Sequence, residues 1–522
     1  MNESKNQIGT SLKLLVKTSF IVFIGVVLSK ILSYSYRIII ARYYGAEIYG
    51  LLSLSTMIAG WFIAIASLGF YDGLSRFIPL YRGKKEISKI RYLLRWSFGV
   101  LTITSVLSAI ILFLTSGIIA NEIFHNSYLK IYLQIFSIVI PFTVLANPFL
   151  ALLRGYEKIK IYSFIFNIAQ NLVKVVTVSL MICLGFNGIG APISWLVGLI
   201  SLTLFSYIAC KYKLPQIFVN EKYNPEEMAR TQKEVFSYSR PLLFYGVITV
   251  LFYWIDSFFI GYYYSAVEVG IYNSAVPIAT LLLIAPELFM QLFFPMITKE
   301  YARKNIHLIK ELSKQVNKWI FTINLPAFVL LIIFPGVALN ILFGAEYLPA
   351  KTALIILAIG SLITSITSVS NSLLSMAGKS KLILRNMLIA CVLNIILNFI
   401  LVPLPFIFGL DNSLGITGAA IATLISLTIF NLMIILETQY PLKIFPFRRK
   451  MITLLISALI SFFGLHYVTQ TWSLPNLFWK IIVGIIFVLV YFLLVFISKS
   501  LDRNDYDIFN SIKTYLASIK IH

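Results

Sequence analysis

Lys30, Tyr34 and Arg37 fall within one apolar run near the start of the chain. The two cations are seven residues apart, so a helix would place them on one face about 10 Å apart with Tyr34 between them. Two cations around an aromatic ring suit a phosphate with a sugar ring stacked beside it. A second polar face is spelled by Asn167, Gln170, Asn171 and Lys174, spaced by three, one and three. Carboxylates are fewer. Asp256 follows Tyr253 and Trp254, Glu287 follows Pro286, and Asp72 lies beside Gly69 and Gly73. An ionisable group at mid-helix in lipid costs at least about 2.5 to 3.5 kcal/mol, so each predicts a polar cavity or a partner. The carboxylates are candidates for ion coupling or for pairing with the cations, Lys30 with Asp256 for example. Lys30, Arg37 and Lys174 together outweigh Asp256, so pairing alone leaves positive charge near the membrane centre, and an anionic ligand would resolve it. Asn394, Asn398 and the Ser and Thr run from Ser361 to Ser375 are expected to serve interhelical hydrogen bonding.

Other chemistries find no residues. His125, His307, His466 and His522 are scattered, and no GxSxG, HExxH or phosphate-cradling glycine loop is present. Cys183, Cys210 and Cys391 are far apart and show no CxxC spacing. No catalytic residue, metal site or cofactor is predicted, and the chain reads as a carrier rather than an enzyme.

The elements that must position these residues are apolar helices. Of 522 residues, 59% are hydrophobic and 12% charged, whereas a water-soluble domain carries about 25% charged residues. Apolar runs near the 20 residues needed to cross a bilayer predict about fourteen spans, at 18–40, 48–71, 93–119, 129–153, 161–184, 188–210, 241–262, 272–297, 319–343, 350–376, 386–406, 415–437, 451–470 and 477–498. A formal charge of +22 would suggest nucleic acid in a soluble protein, but the basic residues lie in short segments between spans. With the amino terminus inside, about 36 of the 43 Lys and Arg fall in cytoplasmic segments and about four outside, so both termini are expected in the cytoplasm.

Sliding the chain against itself by about 220 residues reveals a duplication. YYGAEIYG at 43–50 meets YYSAVEVG at 263–270, LLRGYEKIK at 152–160 meets LLSMAGKSK at 373–381, and GIGAPIS at 188–194 resembles GITGAAIAT at 415–423. The expected fold is an all-α polytopic membrane protein of two pseudo-symmetric six-helix lobes plus two further helices. Its parts would be an N-terminal lobe over 1–210, a cytoplasmic linker over 211–240, a C-terminal lobe over 241–440, a helix pair over 441–498 and an amphipathic cytoplasmic tail over 499–522.

ARYYGAEIYGLLSL at 41–54, SLGFYDGLSRFIP at 67–79, LLRGYEKIK at 152–160, IDSFFIGYYYSAVEVGIYNSA at 255–275, LNIILNFILVPLPF at 393–406 and GITGAAIATLIS at 415–426 resemble the polysaccharide-export branch of the MOP flippase superfamily. The resemblance spans nearly the whole chain in the expected order. It implies a V-shaped pair of six-helix bundles around a cationic cavity, working by alternating access on a lipid-linked oligosaccharide carried by a polyprenyl phosphate or diphosphate. Basic residues of the first helix, matched here by Lys30 and Arg37, would contact the phosphate, while the lipid tail stays in the bilayer through a lateral gap. The setting implied is a prokaryotic cytoplasmic membrane. Membrane lipids, a coupling ion (H+ or Na+) and the glycosyltransferases or polymerase of the same pathway are the expected partners.

Three other functions share part of this pattern. A multidrug and toxin exporter of the same superfamily should have an acidic cavity, and the buried charges of the first lobe are mainly basic. A peptidoglycan-precursor (lipid II) flippase shares the cationic cavity. A membrane glycosyltransferase usually needs a large outer loop with catalytic groups, and the longest outer connection here is about ten residues.

Overall fold

The computed structural model of the chain describes residues 2–219, 225–471, 477–498 and 500. The amphipathic tail expected over 499–522 lies outside the described residues apart from Ser500. In chain order the helices are α1 (Asn2–Ala66), α2 (Phe70–Gly83), α3 (Ile87–Ile118), α4 (Tyr128–Gly155), α5 (Ile159–Ser163), α6 (Gln170–Cys183), α7 (Gly190–Lys213), α8 (Pro225–Tyr263), α9 (Ala266–Ala279), α10 (Ile284–Ala302), α11 (Ile306–Ile333), α12 (Pro335–Leu342), α13 (Lys351–Met376), α14 (Ser380–Leu401), α15 (Ile416–Leu442), α16 (Lys450–Thr471) and α17 (Leu477–Ile497). A two-residue pair of strands, β1 (Phe406–Ile407) and β2 (Leu410–Asp411), closes the turn between α14 and α15.

Among the described residues, thirteen helical spans are long and apolar enough to cross a membrane. The first, Val27–Ala66, has 40 residues, about 60 Å of helix against a hydrocarbon core of about 30 Å. Gly45 breaks it with φ 83 and ψ 179, so the first helix supplies two crossings and the total reaches the fourteen expected. The chain is an all-α polytopic membrane protein.

Two boundaries differ from the expectation. The second span ends at Ala66 instead of continuing to 71, because Leu68 (φ 48) and Gly69 (φ 68) turn the backbone through the left-handed region. The chain then enters α2, a separate amphipathic helix that buries Phe70, Leu74, Phe77, Ile78 and Tyr81. Likewise the span expected over 319–343 is two helices, since α11 stops at Ile333 and Pro335 starts α12.

Segments expected on one side of the membrane gather at one end of the bundle. At the basic end, Arg82 donates to the Gly155 carbonyl (3.1 Å), Arg91 to that of Gln216 (2.6 Å), Lys89 pairs with Glu227 (3.0 Å), and Arg76 lies over Tyr238 (4.2 Å). Tyr81 donates to Glu234, and burial together with that carboxylate pushes its hydroxyl up to about 12. At the opposite end, Tyr132 donates to the Gly188 carbonyl (2.7 Å) and Tyr44 to that of Phe186 (3.0 Å). Helices α3, α4, α6 and α7 pack together in the first half, and α11, α13, α14 and α15 in the second. The final pair α16 and α17 covers α11 through Phe321, Leu325, Leu454, Phe487 and Tyr491.

The two halves meet most closely through the duplicated motif itself. A Cβ on Gly50 would lie 1.7 Å from the Ala266 carbonyl oxygen, and one on Gly270 would lie 2.0 Å from that of Ala46. These four residues are equivalents in the repeat, so Ala46 and Gly50 of one copy cross Ala266 and Gly270 of the other about a local pseudo-two-fold. Only hydrogen atoms fit between the backbones, which is the small-residue crossing that lets membrane helices approach. The exposed amide nitrogens at the start of the two crossing segments are capped differently. In the second copy Ser265 and Glu268 form a capping box. In the first copy the equivalent residue is Gly45, which has no side chain, and Glu346 reaches across from the second half to accept from Ala46 N (3.2 Å). Arg42 then donates to the carbonyls of Asn340 and Leu342 (both 2.9 Å), the orphan acceptors at the end of α12, and Tyr347 donates to Ala41 (3.0 Å).

Gly50→Ala is therefore expected to destabilise the protein by about 1 to 3 kcal/mol, the usual cost of overpacking. Gly99→Ala, where a Cβ meets nothing within 4 Å, should be neutral or stabilising. Thermal unfolding of the purified variants in detergent checks both.

Candidate functional site

Helix α1 runs between the halves and carries the stripe of Lys30, Tyr34 and Arg37 along its first segment. Its neighbour in the second half is irregular where the stripe passes. The span of α9 and α10 is interrupted at Thr280–Leu283 by a tighter 3-10 turn, with Pro277 and Pro286 on either side. Tyr34 donates to the Pro277 carbonyl (3.1 Å), which also accepts from Thr280 Oγ1 (3.0 Å), and the Lys30 ammonium pairs with Glu287 (3.2 Å) in the first turn of α10. Lys30 and Glu287 keep side-chain exposures of 39% and 43% although they face each other from opposite halves, so the space around the pair is open. Glu287 thus takes the charge-pairing role, and it pairs with Lys30 in place of Asp256.

The partner of α1 in the first half is also irregular. Between α5 and α6, residues Phe164–Ala169 form a π-helical turn, a feature that shifts the register of the face that follows. This segment and α6 pack on α1 and α7. Asn167 donates to Ser163 Oγ (3.0 Å), Asn171 to the Asn167 carbonyl (2.9 Å) and Gln170 to that of Phe166. These amides are occupied within their own helix by their donors, leaving carbonyl oxygens to face neighbours.

Lys174 is 6% exposed. Its ammonium stands 3.8 Å above the centre of the Trp195 ring, and its stem lies against Gly198, where a Cβ would come within 2.3 Å of Lys174 Cγ. Among the described residues no carboxylate lies within ion-pairing distance of it. Arg37 lies within electrostatic reach of it. Arg37 in turn faces the Tyr49 hydroxyl, which donates to the Asn273 carbonyl (3.0 Å), and no acid pairs with it among the described residues. Arg37 and Lys174 thus lie within electrostatic reach of each other with no acid paired to either among the described residues, while Lys30 on the same helix as Arg37 pairs with Glu287.

Asp256 belongs to a different place. On α8 in the second half it is 6% exposed, accepting from Tyr272 Oη (2.5 Å) and Thr423 Oγ1 (2.6 Å) at one oxygen and from Asn398 Nδ2 (2.8 Å) at the other. Asn394 donates to Thr423 (3.1 Å), and the Asn398 amide also reaches the Asn394 carbonyl (3.0 Å). Four helices, α8, α9, α14 and α15, thus close neutral groups around one carboxylate. The sequence offered Asn394 and Asn398 as packing residues. Their i, i+4 spacing on a single face of an apolar helix was the signal for this shell. Tyr272 and Thr423, like Trp195 and Gly198 around Lys174, carry no motif and become visible only through contact across helices.

Asp72 joins neither group. It lies in the first turn of α2 at the basic end, outside the spans, where burial pushes its carboxyl above the ordinary value and the nearby Arg154 opposes that rise. Arg154 itself donates to Tyr71 Oη (2.9 Å).

The comparison with known proteins bears on this geometry. The profile of the family described as polysaccharide biosynthesis protein matches residues 15–300, more than half of the chain and all of the segment that carries the cationic stripe. The chain belongs to that family. A second profile, MatE, matches residues 241–400, and together they place the chain in the MOP flippase superfamily as a multi-pass membrane flippase. Among relatives, the lipid II flippase MurJ of Bacillus subtilis is 24% identical over 484 residues, covering 86% of this chain and 87% of that protein. A putative O-antigen transporter of Shigella flexneri is 24% identical over 395 residues, covering 73% and 88%. A probable low-salt glycan biosynthesis flippase of Haloferax volcanii is 25% identical over 200 residues, covering 38% and 40%. Among solved structures, the lipid II flippase MurJ in an inward closed conformation superposes with a TM-score of 0.70 at 20% identity, covering 91% of this chain and 98% of that one. An inward-facing multidrug MATE transporter gives 0.64 at 16% identity, covering 79% and 94%. The family member described here shares their fold.

Removing the Asp256 carboxylate would strand the Tyr272, Thr423 and Asn398 donors. Asp256→Ala should lower stability by about 2 to 3 kcal/mol, more than Tyr272→Phe at about 1 kcal/mol, because a buried unsatisfied donor costs more than a lost partner that leaves the acceptor two others. Denaturant unfolding in one detergent ranks the two.

Proposed function

We propose that the chain carries a polyprenyl-(di)phosphate-linked oligosaccharide from the inner to the outer leaflet of a prokaryotic cytoplasmic membrane by alternating access, for polysaccharide or glycan biosynthesis. The observation that carries this reading is the cation pair Arg37 and Lys174, held within the spans with no acid beside it among the described residues. A site that keeps positive charge uncompensated in a low-dielectric interior is built for an anion. The phosphate would seat between Arg37 and Lys174 and compete with Glu287 for Lys30, with Tyr34 and the amide face of Asn167, Gln170 and Asn171 meeting the first sugar. The lipid tail would remain in the bilayer. A MATE-like exporter of cationic drugs would meet repulsion at the same place.

The positive-inside pattern assigns the basic end to the cytoplasm, with both termini there. The crossing of Ala46 and Gly50 with Ala266 and Gly270 then seals the outer side, and the cavity is loaded from within. A second reading shares the phosphate chemistry. The lipid II flippase relative covers most of the chain, which favours a peptidoglycan precursor as the competing cargo.

Asp256 is the proposed coupling group. Its oxygens are ringed by neutral donors that can turn their oxygen atoms inward, so a proton or a sodium ion can replace them at the carboxylate.

Translocation of a lipid-linked oligosaccharide and of lipid II into reconstituted vesicles tests these assignments. Lys174→Ala and the double variant Lys30→Ala with Arg37→Ala should each lose at least about tenfold in rate for the true cargo, the equivalent of one to two hydrogen-bonded charges at about 1.5 to 3 kcal/mol each. Unchanged rates in correctly inserted protein overturn the anion site. In the same vesicles, Asp256→Asn is expected to abolish any dependence of the rate on an imposed pH or sodium gradient while cargo binding persists. A gradient response that survives the substitution removes Asp256 from coupling.

A further inference from the structure

Helices α8 and α14 touch through Phe252, Met387, Ala390 and Cys391, and one to two turns further along they are tied by Asn398 and Asp256. Toward the basic end the same two helices splay. The wedge between them is a cavity of about 840 Å³ lined by Phe236, Phe244, Ile248, Leu384 and Leu388, with Lys233 and Arg240 at its mouth. Phe236, Phe244 and Leu388 are 48%, 56% and 47% exposed, which leaves an apolar trough open to its surroundings.

The two cations are seven residues apart on α8, about 10 Å along one helical face. Neither has a carboxylate partner among the described residues, unlike Lys89 and Arg385 nearby, which are paired with Glu227 and Glu437. Arg240 precedes Pro241 and Phe244, where the apolar part of α8 begins, so it stands at the edge of the hydrocarbon, and Lys233 lies about 10 Å further out, within the headgroup layer. Lys381 is on the same face of α14 as Leu384 and Leu388, one turn nearer the basic end. An open apolar wedge topped by cations without a carboxylate partner among the described residues, at headgroup depth, matches the shape and charge of an anionic lipid. The opposite face of α8 in this region is fixed, since Ser239 is pressed against Gly69 and Gly73 of the first half.

The geometry points to a resident site for an anionic glycerophospholipid of the leaflet at the basic end, its phosphate between Lys233 and Arg240 and one acyl chain in the wedge between α8 and α14. This site is separate from the cation stripe of α1 and needs no cargo. Filling the wedge braces α8 against α2, so the lipid holds the interhelical angle that the Asp256 shell depends on.

The test is native mass spectrometry of the full chain in detergent, titrated with phosphatidylglycerol or phosphatidylcholine of identical acyl chains. Preferential retention of phosphatidylglycerol is expected, with about a tenfold loss of its affinity in the double variant Lys233→Ser with Arg240→Ser. Leu388→Trp, which fills the wedge and leaves the charges in place, should weaken the same lipid. Lys84→Ser with Lys85→Ser, at the same end of the bundle but outside the wedge, should not. Equal retention of the two lipids, or undiminished phosphatidylglycerol binding in the Lys233 and Arg240 double variant, overturns the site. Competition by glycerol phosphate at equal concentration would show a headgroup patch alone and likewise overturn a lipid site. These readings are independent of translocation, so they stand or fall apart from the cargo assignment.

Discussion

Every ionised side chain inside a lipid-immersed bundle has to be matched by a partner, a polar shell or a ligand, because hydrocarbon supplies none of these. The two repeats meet that demand in opposite ways. In the first, Lys174 is given an aromatic face and a glycine to lie against, which solvates its stem and half of its ammonium and leaves the charge itself unneutralised. In the second, Asp256 receives three neutral donors from three other helices. The helix irregularities follow from the same constraint. A π-helical turn precedes Gln170, and a 3-10 turn precedes Glu287, so each polar face is presented by a helix whose regular hydrogen bonding has been interrupted beside it.

The crossing of the duplicated motif shows how two similar sequences can do unequal work. Ala46, Gly50, Ala266 and Gly270 must all be small for the backbones to meet, and each copy needs a cap for the segment that begins there. Because Gly45 turns with φ 83, a conformation the repeat's Ser265 does not adopt, the first copy surrendered its own capping side chain. Glu346 supplies the cap from the other half, which makes a local backbone requirement into a bond between halves. Arg42 does the same for the exposed carbonyls of α12. The closed end of the molecule is thus held largely by helix-terminal groups that would otherwise be unsatisfied.

The number of spans was legible because length acts globally: a span needs about 20 apolar residues wherever it occurs. What stayed hidden was local. The end of the second span at Ala66 depends on Leu68 taking a left-handed conformation, which its residue type does not announce, and α2 is apolar enough on one face to read as a continuation. The stripe on α1 was visible since Lys30, Tyr34 and Arg37 lie within two turns of one helix. Lys174 and Glu287 were visible as candidates, but which group each would face was not, and Pro277 and Trp195 gave no signal, because all four come from helices brought near only by packing. Asp256 shows the limit most clearly. Its isolation in an apolar run marked it as needing company, and Lys30 was the obvious counter-charge, yet neutral donors satisfy it. A carboxylate surrounded by hydroxyls and amides leaves a fainter trace in sequence than one beside a lysine.

The placement of Glu287 gives the charge distribution a direction. Among the described residues it is the one acid paired with the cation stripe, it comes from the second half, and its pair with Lys30 is partly exposed, where an ion pair is worth little. A dianionic phosphate offers Lys30 a stronger partner than a single carboxylate can, and its binding beside Arg37 and Lys174 would leave Glu287 unpaired at the break between α9 and α10. The first turn of α10 would then lose its tie to the first half. On the proposed function, binding in the first half would change the most stable position of a helix in the second, and the coupling would run through competition for one ammonium group.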